Sequence, residues 1–108
     1  MISEQPTTWY KEGVLGHLCP QARRAKRAVQ IYYYNNDLDF YLTSKEEANH
    51  APGSCHYEGA AFDFKRQGMS KMNIRTALIN GGLNPNDYDI IVYSIEDGDF
   101  IHVEYDPK

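Results

Sequence analysis

The segment from Ser54 to Phe64 constrains the fold of this chain more than any other stretch. It carries a histidine and an aspartate seven positions apart, His56 and Asp63, with one glycine and two alanines between them. Its last five residues, from Ala60 onward, are apolar apart from the aspartate, which is typical of a β-strand. We therefore expect Asp63 to lie on an apolar strand, with His56 in the loop that precedes it.

Length and composition bound what this segment can belong to. The 108 residues suffice for one domain with one core, so we predict a single domain over residues 1–108, with residues 1–8 as a loose terminus. Hydrophobic residues make up 42% and charged residues 24%, which is the profile of a folded chain. The formal net charge of −4 is unlike that of nucleic-acid-binding domains, so no nucleic acid is expected as a partner.

Two helices are predicted from capping signals and apolar spacing. Pro20 suits the first turn of a helix that ends at the polar turn 35–37. Its apolar stripe consists of Ala22, Ala25, Ala28, Val29 and Tyr32. A basic run, residues 23–27, falls mostly on the other side and is interpreted as a solvated face. Ser70 caps a second helix, which Gly81 and Gly82 terminate.

The remaining elements are strands and loops. Residues 38–43 alternate between apolar and polar side chains, which predicts a half-buried strand, and the polar residues 44–53 predict a loop. Residues 89–95 and 100–105 form a predicted hairpin around the turn at residues 96–98. We therefore predict a small α+β domain whose antiparallel sheet carries helices on one side.

A second histidine lies on the last predicted strand. Phe100, His102 and Glu104 share one face of that strand, opposite the apolar residues of the other face. Imidazole and carboxylate groups are good zinc ligands, and a catalytic zinc ion usually takes three protein ligands and a water molecule. His102 is therefore a candidate to join His56 and Asp63 in a zinc site on the face away from the helices.

The remaining signals concern location and redox state. Two cysteines, Cys19 and Cys55, are too few for a disulfide framework, and free thiols are expected. The N-terminal residues show no signal peptide, and no stretch approaches the roughly 20 apolar residues of a membrane span. We expect synthesis in the cytoplasm, with any action outside the cell depending on release or on carriage by another particle.

Seven residues carry a resemblance to a known family. They form the pattern Ser54-x-His56-x-x-Gly59-x-Ala61-x-Asp63 and, after a helix and a strand, Asp99-x-x-His102. This pattern resembles that of the zinc D-Ala-D-Ala carboxypeptidases and L-alanyl-D-glutamate peptidases, which have the hedgehog/DD-peptidase fold. The family includes phage endolysins that cut peptidoglycan stem peptides. The resemblance covers about residues 20 to 105.

The resemblance implies a function and a set of roles. It implies a zinc metallopeptidase that hydrolyses amide bonds of stem peptides, in a phage or prophage lysis protein. His56, Asp63 and His102 would bind Zn²⁺, Asp99 would be the general base, and Ser54 would contact the substrate. The alternative function is a binding or structural module, such as a virion component, that keeps the fold and the zinc site without cleaving.

Two positions leave alternatives open. Family members of the bacterial type carry an arginine before the motif, whereas this chain has Lys45, which can offer a charge to a substrate carboxylate or oxyanion but no planar fork. Asp99 is three residues from His102, so in a regular strand the two side chains would point to opposite faces. Glu104 shares the face of His102 and is the rival candidate for the base.

Overall fold

One sheet forms the centre of the structure, a computed structural model that describes residues 8–10, 18–46 and 60–107. Within these ranges the sheet has five strands: β1 (Thr8–Tyr10), β2 (Phe40–Glu46), β3 (Ala61–Lys65), β4 (Tyr88–Val92) and β5 (Phe100–Tyr105). Their order is β1-β2-β3-β5-β4. Strands β2, β3, β5 and β4 are antiparallel, as predicted, whereas β1 adds to β2 in parallel. The edge strand β1 was not predicted, and its residue Thr8 belonged to the predicted loose terminus.

Two helices follow the predicted capping signals. Helix α1 (Pro20–Asn35) has its proline in the first turn, and Asp37, just beyond its C-cap, has a φ of 59°. Helix α2 (Lys71–Asn80) begins with a capping box, in which the Ser70 hydroxyl accepts from the Asn73 backbone N–H and the Asn73 side chain accepts from the Ser70 N–H. The domain is therefore a small α+β fold, as predicted.

The core fills the space between the sheet and both helices. It combines the inward residues of the strands with the buried stripe of each helix: Phe40, Leu42, Phe62, Phe64, Tyr88, Ile90, Ile101 and Val103 from the sheet, and Ala22, Ala25, Val29, Tyr33, Ile74, Ala77 and Leu78 from the helices. The two helices approach each other closely where Gly81 faces Ala28. A Cβ atom at position 81 would lie only 2.6 Å from the Ala28 Cβ, which is too close for two such atoms. One face of β2, β3, β4 and β5 therefore packs against the helices in the core.

The predicted stripe of α1 lacked its most deeply buried aromatic residue. Tyr32 is partly buried and packs against the core, whereas Tyr33, which was not predicted, is fully buried. Tyr33 packs edge-on against Phe40 and Phe64, with ring centroids 5.6 and 5.7 Å away. Its hydroxyl donates to the carbonyls of Lys65 and Arg66 at the end of β3. Burial of the Tyr33 ring is therefore favoured by hydrogen-bond partners that are distant in the sequence.

Strand β2 contains a β-bulge and continues beyond the predicted end at residue 43. Leu42 lies opposite Phe64, but Ser44 lies opposite Asp63, so the two strands are out of step by one residue at Thr43. Pairing then continues to Glu46. The prediction of a loop from residue 44 was therefore wrong for residues 44–46.

The cysteine prediction was also wrong for Cys19. This residue is fully buried just before α1 and is disulfide-bonded, so it is not a free thiol. The other cysteine of the chain, Cys55, lies outside the described residues. The protein thus carries a covalent cross-link at the N-terminal end of its longer helix.

Candidate metal centre

Asp63 lies at the middle of the central strand and faces away from the core. Its neighbours Phe62 and Phe64 are fully buried on the helix side, and side chains alternate along a strand. Asp63 is nevertheless 9% exposed, so its carboxyl group is buried on the opposite face. A buried carboxylate is costly unless a cation or hydrogen-bond donors compensate its charge.

His102 lies directly opposite Asp63 on the adjacent strand. The two residues are partners in the β3–β5 ladder, so their side chains leave the same face of the sheet. Nδ1 of His102 is 2.7 Å from Oδ1 of Asp63. Two candidate ligands that are 39 positions apart in sequence therefore meet at one point.

Glu104 approaches the other nitrogen of the same ring. It lies two residues after His102 on the same face, and its Oε1 is 3.2 Å from Nε2 of His102. Its partner across the ladder is Ala61, whose small side chain leaves space beside it. The imidazole of His102 is thus placed between two carboxylates.

This arrangement suits a cation. A neutral imidazole has only one N–H, so it can donate to only one of the two carboxylates that flank His102. The second contact needs either another proton or a metal ion between the ring and a carboxylate. In a tetrahedral zinc site the ligand atoms of His102 and Asp63 would be about 3.3 Å apart, whereas they are 2.7 Å apart here. Zinc binding would therefore require the two atoms to separate by roughly 0.6 Å. The donor types therefore suit zinc, while the spacing observed is that of a direct hydrogen bond between His102 and Asp63.

The third predicted ligand cannot be placed beside them. His56 and the predicted substrate contact Ser54 lie outside the described residues. Within the described ranges, no group of three or more histidine, cysteine, aspartate or glutamate residues is arranged to hold a metal ion. The metal-binding roles of His56, Asp63 and His102 remain predictions.

Asp99 is placed in the turn before β5 and not in the strand. It has a left-handed backbone with a φ of 56°, its N–H donates to Ser94 O, and its carbonyl accepts from Arg66 N. Burial, and after it the Asp99 carboxylate, raise the pKa of the Tyr33 hydroxyl well above its usual range. The negative charge of Asp99 is therefore close enough to Tyr33 to act on its hydroxyl.

The predicted base is consequently separated from the candidate ligands. Asp99 precedes His102 by three residues, which corresponds to about 10 Å of extended chain. None of the contacts described for Asp99 reaches the histidine ring. The rival candidate Glu104 does contact this ring. The sequence indicated only that Asp99 and His102 would point to opposite faces of a regular strand. It did not indicate the left-handed backbone of Asp99, because the sequence does not specify the direction of the turn.

The backbone of Lys45 lies in β2, opposite Phe62, where the sequence predicted a loop. Its proposed contact with substrate remains a prediction. A different lysine was missed by the sequence analysis: Lys65 is exposed two residues after Asp63, and its ammonium lies 4.7 Å from the centre of the Tyr41 ring. The spacing of two residues between Asp63 and Lys65 could have indicated this lysine, because residues two apart on a strand lie on the same face.

Comparison with known proteins adds no relative to this picture. No family model, curated protein or solved structure matches the chain. Among the described residues, none of the helices is long and apolar enough to cross a membrane.

Proposed function

We propose that this chain is a zinc metallopeptidase that hydrolyses amide bonds in peptidoglycan stem peptides. The observation that carries the proposal is the contact between Asp63 and His102, at 2.7 Å, on the sheet face opposite the core. Both residues belong to the motif that resembles the zinc carboxypeptidase and endopeptidase family. The resemblance alone supplies the substrate class and the hedgehog/DD-peptidase-like fold as parts of the proposal.

Each proposed residue has a distinct task. Asp63 and His102, with His56, would hold the ion and leave one position open for water. When bound, zinc supplies Lewis-acid activation of water and of the amide carbonyl. Ser54 and Lys45 would contact the substrate, the lysine by offering its charge to a carboxylate or an oxyanion.

The proposed general base is Asp99, which would take a proton from water and pass it to the leaving amine. Asp99 lies in the turn before β5, so its carboxylate would have to reach the face of His102 from there before it could act. Glu104 is the alternative base. A base within reach of the reacting water is required in the substrate complex, and not necessarily in the free protein.

A second candidate function is a binding or structural module, such as a virion component, that retains the fold and the zinc site without cleaving. The separation of Asp99 from His102 favours this candidate, because zinc could bind without a base nearby. The two functions share the metal and differ only in turnover. In either case the proposed setting is a phage or prophage, with synthesis in the cytoplasm and action after release or within a particle.

The deciding experiment measures zinc content and wall hydrolysis together. Purified protein is expected to bind about one zinc per chain, and to release new amino groups from purified cell walls or muropeptides. Chelator should stop the reaction and added zinc should restore it, and mass spectrometry of the digest should identify the bond. Zinc-loaded protein that leaves a panel of wall types intact would favour the non-cleaving module, and protein that binds no zinc would refute both.

Two variants separate the candidate bases in the same assay. At saturating zinc, Asp99→Asn is expected to keep the metal and to lose about 100- to 10,000-fold in turnover, because a general base is removed. Glu104→Gln is the matched carboxylate-to-amide control and should keep most of the turnover. The reverse result would assign the base to Glu104.

A further inference from the structure

We propose that the first half of α1 is a binding site for a linear phosphodiester polymer that lacks aromatic bases, such as poly(glycerol phosphate). The site consists of four cations within five residues, which form the basic cluster: Arg23, Arg24, Lys26 and Arg27. The cluster lies on a helix and not on the sheet face opposite the core. The inference therefore goes beyond the proposed peptidase and holds whether or not zinc binds.

The basic cluster is a local exception in an acidic chain. It contains four of the 11 lysine and arginine residues, whereas the whole chain has a formal net charge of −4. Because the cluster contributes four positive charges to that total, the remaining residues carry a formal net charge of −8. A polyanion would therefore be repelled by the average surface of the protein and attracted at the basic cluster.

The structure presents the basic cluster to solvent. Arg23, Arg24 and Arg27 are exposed, while Lys26 is half-buried. The core side of this stretch of α1 consists of small and apolar residues: Ala22, Ala25, Ala28 and Val29. Arg23 and Arg27 are four positions apart, so they are neighbours on the helix surface, about 6 Å apart along its axis. The three guanidinium groups can therefore contact one extended ligand together, and each can bind two phosphate oxygens.

The positive charges of the cluster oppose one another. The pKa of Lys26 is lowered, first by burial and then by the charges of Arg27 and Arg23. No carboxylate among the described residues forms an ion pair with Arg23, Arg24 or Lys26, and the first turn of α1 contains no acidic residue. Like charges four positions apart destabilise a helix, and cations in its first turns also oppose the helix dipole. A chain of phosphates bound along the cluster would relieve both effects.

The surroundings of the cluster favour a polymer without bases over a nucleic acid. Proteins that bind single strands combine cations with exposed aromatic rings on which bases stack. Tyr88 lies near Arg24, since burial raises the pKa of the Tyr88 hydroxyl and the charge of Arg24 acts against that rise. The Tyr88 ring is buried, however, so it cannot stack on a base. The exposed ring of Tyr34 lies seven residues beyond Arg27, about 10 Å along the helix. The cluster thus offers charge without an adjacent stacking ring.

The test measures the affinity of the full chain for a fluorescently labelled poly(glycerol phosphate) oligomer, by anisotropy, over a series of salt concentrations. Chelator is present throughout, so the result does not depend on zinc. Affinity should fall linearly with salt on logarithmic axes, because bound phosphates release counterions. Replacing both Arg23 and Arg24 by glutamine should weaken binding by roughly 10- to 100-fold at about 50 mM salt and reduce the salt slope by about 1.4.

Two further pairs of substitutions separate the site from net charge. Arg23→Lys with Arg24→Lys keeps both charges and should retain more of the affinity than the glutamine pair does. Lys65→Gln with Lys71→Gln is the matched control, because it removes two exposed charges outside the basic cluster, and it should bind as the wild type does. Glutamine is a good helix former, so the glutamine pair in the cluster should unfold at no lower temperature than the wild type.

Three results would overturn the inference. The first is a wild type that does not bind the oligomer at low salt. The second is an equal loss of affinity in the control pair and in the glutamine pair of the cluster, or no loss in either. The third is tighter binding of a single-stranded oligonucleotide or of poly-glutamate of the same charge, which would assign the cluster to that ligand. None of these results bears on zinc binding or wall hydrolysis, so the proposed function fails or stands separately.

Discussion

The two faces of β3 differ in almost every respect although they alternate residue by residue. On one face, Phe62 and Phe64 are fully buried and stack with a centroid distance of 5.7 Å. On the other, Asp63 contacts His102 and Lys65 is exposed. A shift of one residue in register would exchange the two sets. The core contacts of β3 thus lie on one face and the proposed zinc ligand on the other, and we expect stability and zinc binding to respond to different substitutions.

The largest expected effect is on the polar face. Asp63→Asn keeps the shape and a hydrogen-bond acceptor for His102 but removes the ligand charge. Its zinc affinity should fall by more than about 100-fold. Even the loss of a carboxylate that only hydrogen-bonds to a metal ligand typically costs about 10- to 100-fold. Chelator competition measures the affinity, and urea unfolding of the zinc-free variant should show a much smaller effect on stability than a core truncation. Unchanged zinc affinity would show that Asp63 is not a ligand.

The next effect is on the core face. Phe64→Ala should lower the free energy of unfolding by about 3–5 kcal/mol, because a fully buried aromatic residue leaves a cavity. Its ring packs against Tyr33 and against Phe40, whose centroid is 5.2 Å away. Phe64→Leu is the milder companion if the alanine variant does not fold, and its zinc affinity should match that of the wild type. A loss of zinc affinity in Phe64→Leu would break the separation between the two faces.

The smallest effect comes from a polar group at the rim of the core face. The Tyr88 hydroxyl donates to Gln21 O at 2.7 Å, and burial, followed by the charges of Tyr105 and Asp87, raises its pKa to about 12. The folded state therefore holds this proton more tightly than the unfolded state does. The resulting stability is present below the unfolded value near 10 and is lost as the pH rises towards 12.

Tyr88→Phe tests this prediction. The free energy of unfolding of the zinc-free variant should fall less steeply than that of the wild type between about pH 10 and about pH 12. Tyr33 keeps its own raised pKa in both proteins, so it contributes equally and cancels in the comparison. Parallel curves would mean that the Tyr88 hydroxyl contributes nothing to alkaline unfolding.

Local signals in the sequence were enough for most of the fold. Pro20, Ser70 and Gly81 marked helix ends by chemistry that acts within one turn, and all three lie at the predicted boundaries. The alternation around Asp63 and His102 correctly assigned both residues to the face opposite the core. These features depend on neighbours a few positions away, which a sequence displays directly.

The features that were missed depend on distant partners. Tyr33 is buried more deeply than Tyr32 because its hydroxyl meets carbonyls at the end of β3. The bulge at Thr43 and the parallel pairing of β1 arise only when two strands meet. The left-handed backbone of Asp99 likewise belongs to a turn that hydrogen-bonds to Ser94 and Arg66. Residue spacing cannot specify such contacts.

The hydroxyl of Tyr33 has a consequence for the dynamics of the candidate centre. Its single hydrogen is shared between two successive carbonyls, at 3.0 Å and 2.8 Å, at the end of the strand that carries Asp63. This contact joins the end of β3 to α1, so the amides on either side of Asp63 should be among the slowest in the domain to exchange with solvent. The two proposed ligands Asp63 and His102 would then be held in place before any ion arrives, and the entropy lost on binding a metal at this half of the proposed site would be correspondingly small.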